Sequence, residues 1–156
     1  MTRQAKAVTV LMAEDDADDR MLAEDAWLES SLPGELRFVE DGEQLMEYLR
    51  RTGRYGTPSE APAPSLIILD LNMPRKDGRE ALKEIKSDPA LRRIPVVVLT
   101  TSRAEEDINK SYELGVNSFI VKPSRFEALV KVVRCLGEYW LEVVELPREG
   151  LGDING

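Results

Sequence analysis

The chain has 156 residues, with 21 Lys and Arg against 29 Asp and Glu, a formal net charge of −8, and no histidine. This length suits one domain, and 42% hydrophobic with 32% charged residues is the balance of a globular chain able to bury a core. The negative charge argues against a nucleic-acid surface, which needs clustered Lys and Arg, and the missing histidine excludes Ser-His-Asp and Cys-His catalysts, histidine-ligated metals and a phosphohistidine relay.

Val8–Ala13 is apolar except for Thr9 and stops at Glu14-Asp15-Asp16, so a buried strand is expected there. Residues 18–31 place Met21, Leu22, Trp27 and Leu28 at helical spacing, and Pro33-Gly34 ends that helix. Asp16 reads as a helix cap or a loop acid rather than a ligand, and Asp18, Asp19, Glu24 and Asp25 as solvated acids. Residues 37–40 form a shorter, more polar run, suited to an edge strand, and 42–51 carry Leu45, Met46, Tyr48 and Leu49 on a second helix. Residues 52–64 hold two glycines and three prolines and predict a long loop. Residues 65–69 give a third strand ending at Asp70, and 77–87 a third helix closed by Asp88-Pro89. Residues 95–99 give a fourth strand ending at Thr100, and 104–114 a fourth helix with Gly115 as its C-terminal cap. Ser118–Val121 is a fifth strand ending at Lys122. The last helix is predicted over 124–144, with Ser124 as N-cap, Glu127 completing a capping box, and Cys135 as a small buried hydrophobe. One domain over 1–146 with a frayed tail over 147–156 is the expected organisation. No run reaches the roughly 18 apolar residues of a membrane span, no signal peptide is evident, and one cysteine fits a reducing compartment. A cytoplasmic protein that contacts neither membrane nor nucleic acid is expected.

Five strand–helix units in succession, with strands apolar on both faces, predict a doubly wound parallel α/β sheet. Its strand ends share one edge, where ligands bind at the topological switch point. With order 2-1-3-4-5, Glu14, Asp15 and Asp70 converge there, flanked by Thr100 and Lys122. Like charges about 4 Å apart repel by about 4 kcal/mol at an effective dielectric near 20, so such a set persists only with a cation. An all-oxygen set suits Mg²⁺, and a hard cation beside an exposed carboxylate is the arrangement for attack of Asp70 on a phosphoryl group.

The motifs Val10-Leu-Met-Ala-Glu14-Asp15-Asp16, Leu69-Asp70-Leu-Asn72-Met-Pro74 followed by Asp77-Gly78, Val98-Leu-Thr100-Thr-Ser102 and Phe119-Ile-Val-Lys122-Pro123 together resemble the receiver domain of bacterial response regulators. The proline-rich loop, Ser124-Arg-Phe126 and the Tyr139-Trp140 region look most like single-domain regulators serving bacterial phytochrome kinases. The resemblance implies a flavodoxin-like (βα)5 fold and a histidine kinase partner. It implies Asp70 as phosphoacceptor, Asp15 as a direct Mg²⁺ ligand, Glu14 as a ligand through water, and Asn72 as a ligand through its backbone carbonyl. Thr100 would bond the phosphoryl group and Lys122 would pair with it. A cis Lys122–Pro123 bond would aim the lysine, and Phe119 would be the aromatic of the switch. Asn72 and Ser102 stand where the family tunes acyl-phosphate hydrolysis.

Phe126, Leu129, Val130, Val133, Leu136, Trp140 and Val144 form one stripe of the last helix, and Val132, Tyr139 and Val143 extend it beyond a single buried face. A homodimer through the fourth helix, fifth strand and last helix is therefore expected, with Val132, Tyr139 and Val143 at its interface. Of the other functions, a phosphatase of the haloacid-dehalogenase type needs a second Asp two residues after the nucleophile, and Asn72 occupies that place. A degenerate receiver acting unphosphorylated disagrees with the retained acids, threonine and lysine.

Overall fold

The computed structural model describes residues 8–56 and 61–147. The chain runs β1 (Val8–Ala13), α1 (Ala17–Glu29), β2 (Gly34–Val39), α2 (Gly42–Arg50), a short 3₁₀ turn (Gly53–Tyr55), β3 (Leu66–Leu69), α3 (Gly78–Ser87), β4 (Val96–Thr100), α4 (Glu105–Leu114), β5 (Ser118–Val121) and α5 (Phe126–Glu138), followed by one π turn (Tyr139–Val143). All four strand pairings are parallel, and the order β2-β1-β3-β4-β5 is the expected doubly wound one.

The period of two along each strand splits the core into two layers. Leu11, Ala13, Ile67, Leu69, Val96 and Val98 face α2 and α3, meeting Leu45, Met46, Leu82 and Ile85. Val10, Met12, Leu66, Ile68, Val97 and Leu99 face α1 and α5, meeting Trp27, Leu129, Val133, Leu136 and Trp140. Burying each such large side chain contributes about 1.5–3 kcal/mol, and residues apolar at every position of β3, and of β4 up to its terminal Thr100, are what a sheet covered on both faces requires.

The caps follow local chemistry. Asp16 Oδ1 accepts from the backbone N–H groups of Asp18 (2.8 Å) and Asp19 (3.2 Å), fixing the start of α1. Asp77 and Glu80 close a reciprocal capping box on α3, and Gly115 ends α4 at φ 111°.

Several expectations need correction. β2 begins at Gly34, three residues before the polar run suggested, because an edge strand is only half covered and its residues are mixed in polarity. On α1, Trp27 is buried, but Met21 and Leu28 are 62% and 70% exposed, so they lie off the core face. The predicted last helix divides into α5 and the π turn. Its N-cap is Arg125, which makes no capping side-chain bond, and Ser124 precedes it. Phe126 is 60% exposed rather than part of the buried stripe. Cys135 is exposed because it lies one residue from the buried Leu136 on a helix whose covered face is Leu129, Val133 and Leu136. The 52–64 loop contains the 3₁₀ turn, while its residues 57–60 and all but the first residue of the 147–156 tail lie outside the described residues.

Candidate functional site

Register places the strand ends side by side: Ala13 pairs with Leu69, Leu69 with Val98, and Thr100 with Val121. The residues that follow therefore share one edge. Glu14, Asp15 and Asp70 each place a carboxylate oxygen within 4.8 Å of the others. Glu14 and Asp70 are buried, while Asp15 is exposed. Gly78 permits the approach of α3 to this edge, since a Cβ there would stand 2.2 Å from the Asp70 carbonyl oxygen.

Lys122 answers part of the negative charge. Its ammonium donates to Glu14 Oε1 at 2.7 Å and to Asp19 Oδ2 at 2.9 Å, and stands 3.5 Å from Asp70 Oδ2. Asp19, read from sequence as a solvated acid, is thus part of the site. Its partner lies 103 residues away in the chain, a separation no local pattern reveals. Burial lowers the tendency of Lys122 to hold its proton, but the carboxylates of Glu14 and Asp19 more than offset this and hold it above the usual lysine value. Burial pushes Glu14 up to about 7, against the pull of Lys122. The two shifts favour opposite states of one pair, and the lysine charge is the firmer: it faces three carboxylates, whereas Glu14 faces one ammonium and the carboxylate of Asp70.

Thr100 donates its hydroxyl to Asp70 Oδ1 at 2.7 Å, and the Asn72 N–H donates to the same oxygen at 3.1 Å. The Thr100 hydroxyl therefore already reaches Asp70 without any added group. Phe119 is partly buried against the α2–α3 layer, and its N–H donates to the Tyr112 hydroxyl at 3.1 Å. The expected cis Lys122–Pro123 bond is absent: no peptide bond is cis among the described residues. The trans form of such a bond is favoured by about 0.5–1 kcal/mol, and Lys122 reaches its carboxylates with it, its N–H fixed on the Thr100 carbonyl at 2.6 Å.

A second network borders the site, and it joins Ser102, expected at the site, to Arg79 and Asp107, which no sequence motif singled out. Arg79 donates to both oxygens of Asp107 at 2.7 and 2.6 Å, and Ser102 donates its hydroxyl to Asp107 at 2.6 Å. The guanidinium bond, with help from the hydroxyl, holds the Asp107 carboxyl down at about 2.

The donor set fits a hard divalent cation. Three carboxylates meet beside one ammonium, no described residue forms an ion pair with Asp15, and every candidate ligand atom is oxygen. A parallel α/β sheet with such a cation site, a buried acid, a threonine and a lysine at its carboxyl edge defines a phosphoacceptor module. The chain belongs to the response regulator receiver domain family, whose profile matches residues 10–134. It is 45% identical over 138 residues to the response regulator Rcp1 of Synechocystis sp., covering 88% of this chain and 92% of Rcp1. The crystal structure of the Mn²⁺-bound form of Rcp1 superposes with a TM-score of 0.84 at 44% identity, covering 90% of this chain and 99% of that one. The phosphorylated cyanobacterial phytochrome response regulator RcpA superposes with a TM-score of 0.86 at 45% identity, covering 92% and 100%. As a receiver, this domain has a histidine kinase as its class of partner. No helix among the described residues is long and apolar enough to cross a membrane.

Proposed function

We propose that Asp70 is the phosphoacceptor and that a phytochrome-type histidine kinase is the donor. The observation that carries this is the convergence on one buried carboxylate of the Thr100 hydroxyl, the Lys122 ammonium and the acids Glu14 and Asp15. Thr100 and Asn72 engage Oδ1, leaving Oδ2 toward Lys122. Oδ2 attacks the phosphorus of the donor phosphohistidine, the P–N bond breaks, and its electron pair returns to the imidazole, which takes a proton from solvent. Glu14, Asp15, Asp70 and the Asn72 carbonyl would hold Mg²⁺, which when bound neutralises charge on the phosphoryl oxygens.

The acyl phosphate adds about 1.5–2 negative charges and three acceptor oxygens. Thr100 and Lys122 answer them, so the phosphate favours the state in which both face inward, an arrangement present before phosphorylation. A shift from mostly off to mostly on takes roughly 3–5 kcal/mol, within reach of two charge-assisted hydrogen bonds and an ion pair. Phe119 and Pro123 transmit the change to the face formed by α4, β5 and α5. That face carries a groove of about 760 Å³ lined by Ile120, Val132, Cys135, Leu136, Tyr139 and Trp140 among others. With Tyr139 54% and Val143 71% exposed beside it, self-association through Val132, Tyr139 and Val143 is the reading these apolar surfaces support. The same geometry lets water return the acyl phosphate to free carboxylate, ending the signal without a separate phosphatase.

Incubation with acetyl phosphate and Mg²⁺ tests the site. One phosphoryl group per chain is expected, lost in Asp70→Asn; label retained in that variant, or no label on the native chain, overturns the assignment. Transfer from a phytochrome kinase should outpace transfer from other histidine kinases, and equal rates would remove the phytochrome assignment.

A further inference from the structure

Arg79, the second residue of α3, ties together the two walls of the opening above Asp70. Besides its paired bonds to Asp107 on α4, it bonds Asp77 Oδ2 at 3.0 Å, and its guanidinium reaches Asn72 Oδ1 at 3.4 Å. Asp107 in turn holds the Ser102 hydroxyl at 2.6 Å, fixing the segment after β4. The side chain of Asn72 crosses from the first wall to the second, donating to Thr101 Oγ1 at 3.3 Å, while Asn72 and Thr100 both bond Asp70. Asp70 itself is only 5% exposed, so water reaches it past these side chains.

We propose that the Arg79–Asp107 pair is a positioning clamp that keeps the Asn72 and Ser102 walls closed over Asp70 and thereby sets the lifetime of its acyl phosphate. This rests on the reading of Asp70 as phosphoacceptor. In hydrolysis a water oxygen attacks phosphorus, the P–O bond to Asp70 breaks with its electron pair returning to the carboxylate, and a proton from the water passes to solvent as inorganic phosphate leaves. A loosened wall admits that water. Asp107, occupied by three donors in the intact clamp, keeps only the Ser102 hydroxyl when Arg79 is removed, and its released oxygen then accepts the water's proton in place of solvent.

The full chain is labelled with acetyl phosphate, the donor is removed at saturating Mg²⁺, and loss of label is followed in Arg79→Ala, Arg79→Lys, Asp107→Asn and the double variant Arg79→Ala/Asp107→Asn. Arg79→Ala is expected to shorten the half-life by about threefold or more, and Arg79→Lys, which keeps the charge but not the fork, by less. The double variant should decay no faster than Arg79→Ala, because both changes open one clamp. Mg²⁺ affinity should stay at the native value, which separates the clamp from general loosening of the site. Equal half-lives, or single effects that multiply in the double variant, overturn the clamp. If Arg79→Ala fails to fold, Arg79→Lys and Asp107→Asn decide the question. A native chain that takes no label refutes the assignment of Asp70, whereas labelled chains with unchanged half-lives refute only the clamp.

Discussion

Replacing Asp70 with asparagine should make the metal-free protein more stable while removing its phosphoryl acceptor. Carboxylate oxygens within 4.8 Å of one another repel by at least about 3.5 kcal/mol per pair at an effective dielectric of 20. Asp70 takes part in two such pairs, and against them stands its attraction to Lys122 at 3.5 Å, about 4.7 kcal/mol on the same scale. Asp15 is exposed, so solvent screens its share. Asp70 is buried, so neutralising it also relieves a desolvation penalty. Asparagine keeps an oxygen to accept the Thr100 and Asn72 hydrogen bonds. The balance is a gain of about 1–2 kcal/mol, or roughly 3–6 °C in melting temperature for a chain of this size. Thermal unfolding near pH 8 in the presence of a chelator measures it, and added Mg²⁺ should then raise the native protein far more than the variant. A variant that melts below the native protein without metal would show that the acidic cluster is not under net repulsion, and the case for a resident cation would lose its physical basis.

Three further expectations follow from particular residues. Glu14, raised from 4.5 to about 7 by burial, keeps in the folded state a proton that the unfolded chain loses between those values. Metal-free stability therefore falls as pH rises through that window, and Mg²⁺ binding should release a fraction of a proton and tighten between about pH 6 and about pH 8; calorimetry in buffers of different ionisation enthalpy checks it, and a pH-independent affinity contradicts it. Gly78→Ala would place a methyl 2.2 Å from the Asp70 carbonyl oxygen and 2.6 Å from Leu71 Cα, both backbone, so a loss of about 3 kcal/mol in urea unfolding is expected, with phosphorylation slowed as the Asp70 loop shifts. Under the proposed self-association, the native chain should run as a dimer in light scattering and Val132→Glu with Tyr139→Glu as a monomer; an unchanged mass removes that interface.

The sequence made β1, β3 and β4 legible because their residues are apolar almost throughout, Thr9 and the terminal Thr100 excepted, as a sheet covered on both sides requires. The acids, threonine and lysine were legible for a related reason: they stand at or within two residues of the end of an apolar run, Glu14 and Asp15 after β1, Asp70 after β3, Thr100 at the end of β4 and Lys122 after β5. What lay hidden depends on distance or on subtle geometry. Asp19 meets Lys122 and Arg79 meets Asp107 only after the chain has folded, and charged residues on helices ordinarily face solvent. The π turn over Tyr139–Val143 contains no proline or glycine, and Gly137, two residues before it, lies buried within the regular helix α5 and so does not mark the change. Cys135 shows the limit of residue preference, since one residue of rotation on a helix separates the covered face from the open one.

The placement of Trp27 and Trp140 has a practical outcome. Both indoles are buried in the layer beneath α1 and α5, on the side of the sheet away from α3 and its clamp. Trp27 is anchored there by donating its ring N–H to the Gly34 carbonyl at 3.0 Å. Neither ring lines the acidic edge, so intrinsic emission is insulated from direct quenching by an ion held there. A spectral change on titrating Mg²⁺ or a phosphodonor would accordingly register motion relayed through the sheet into the opposite layer, giving the protein a built-in optical gauge of its own signal transmission.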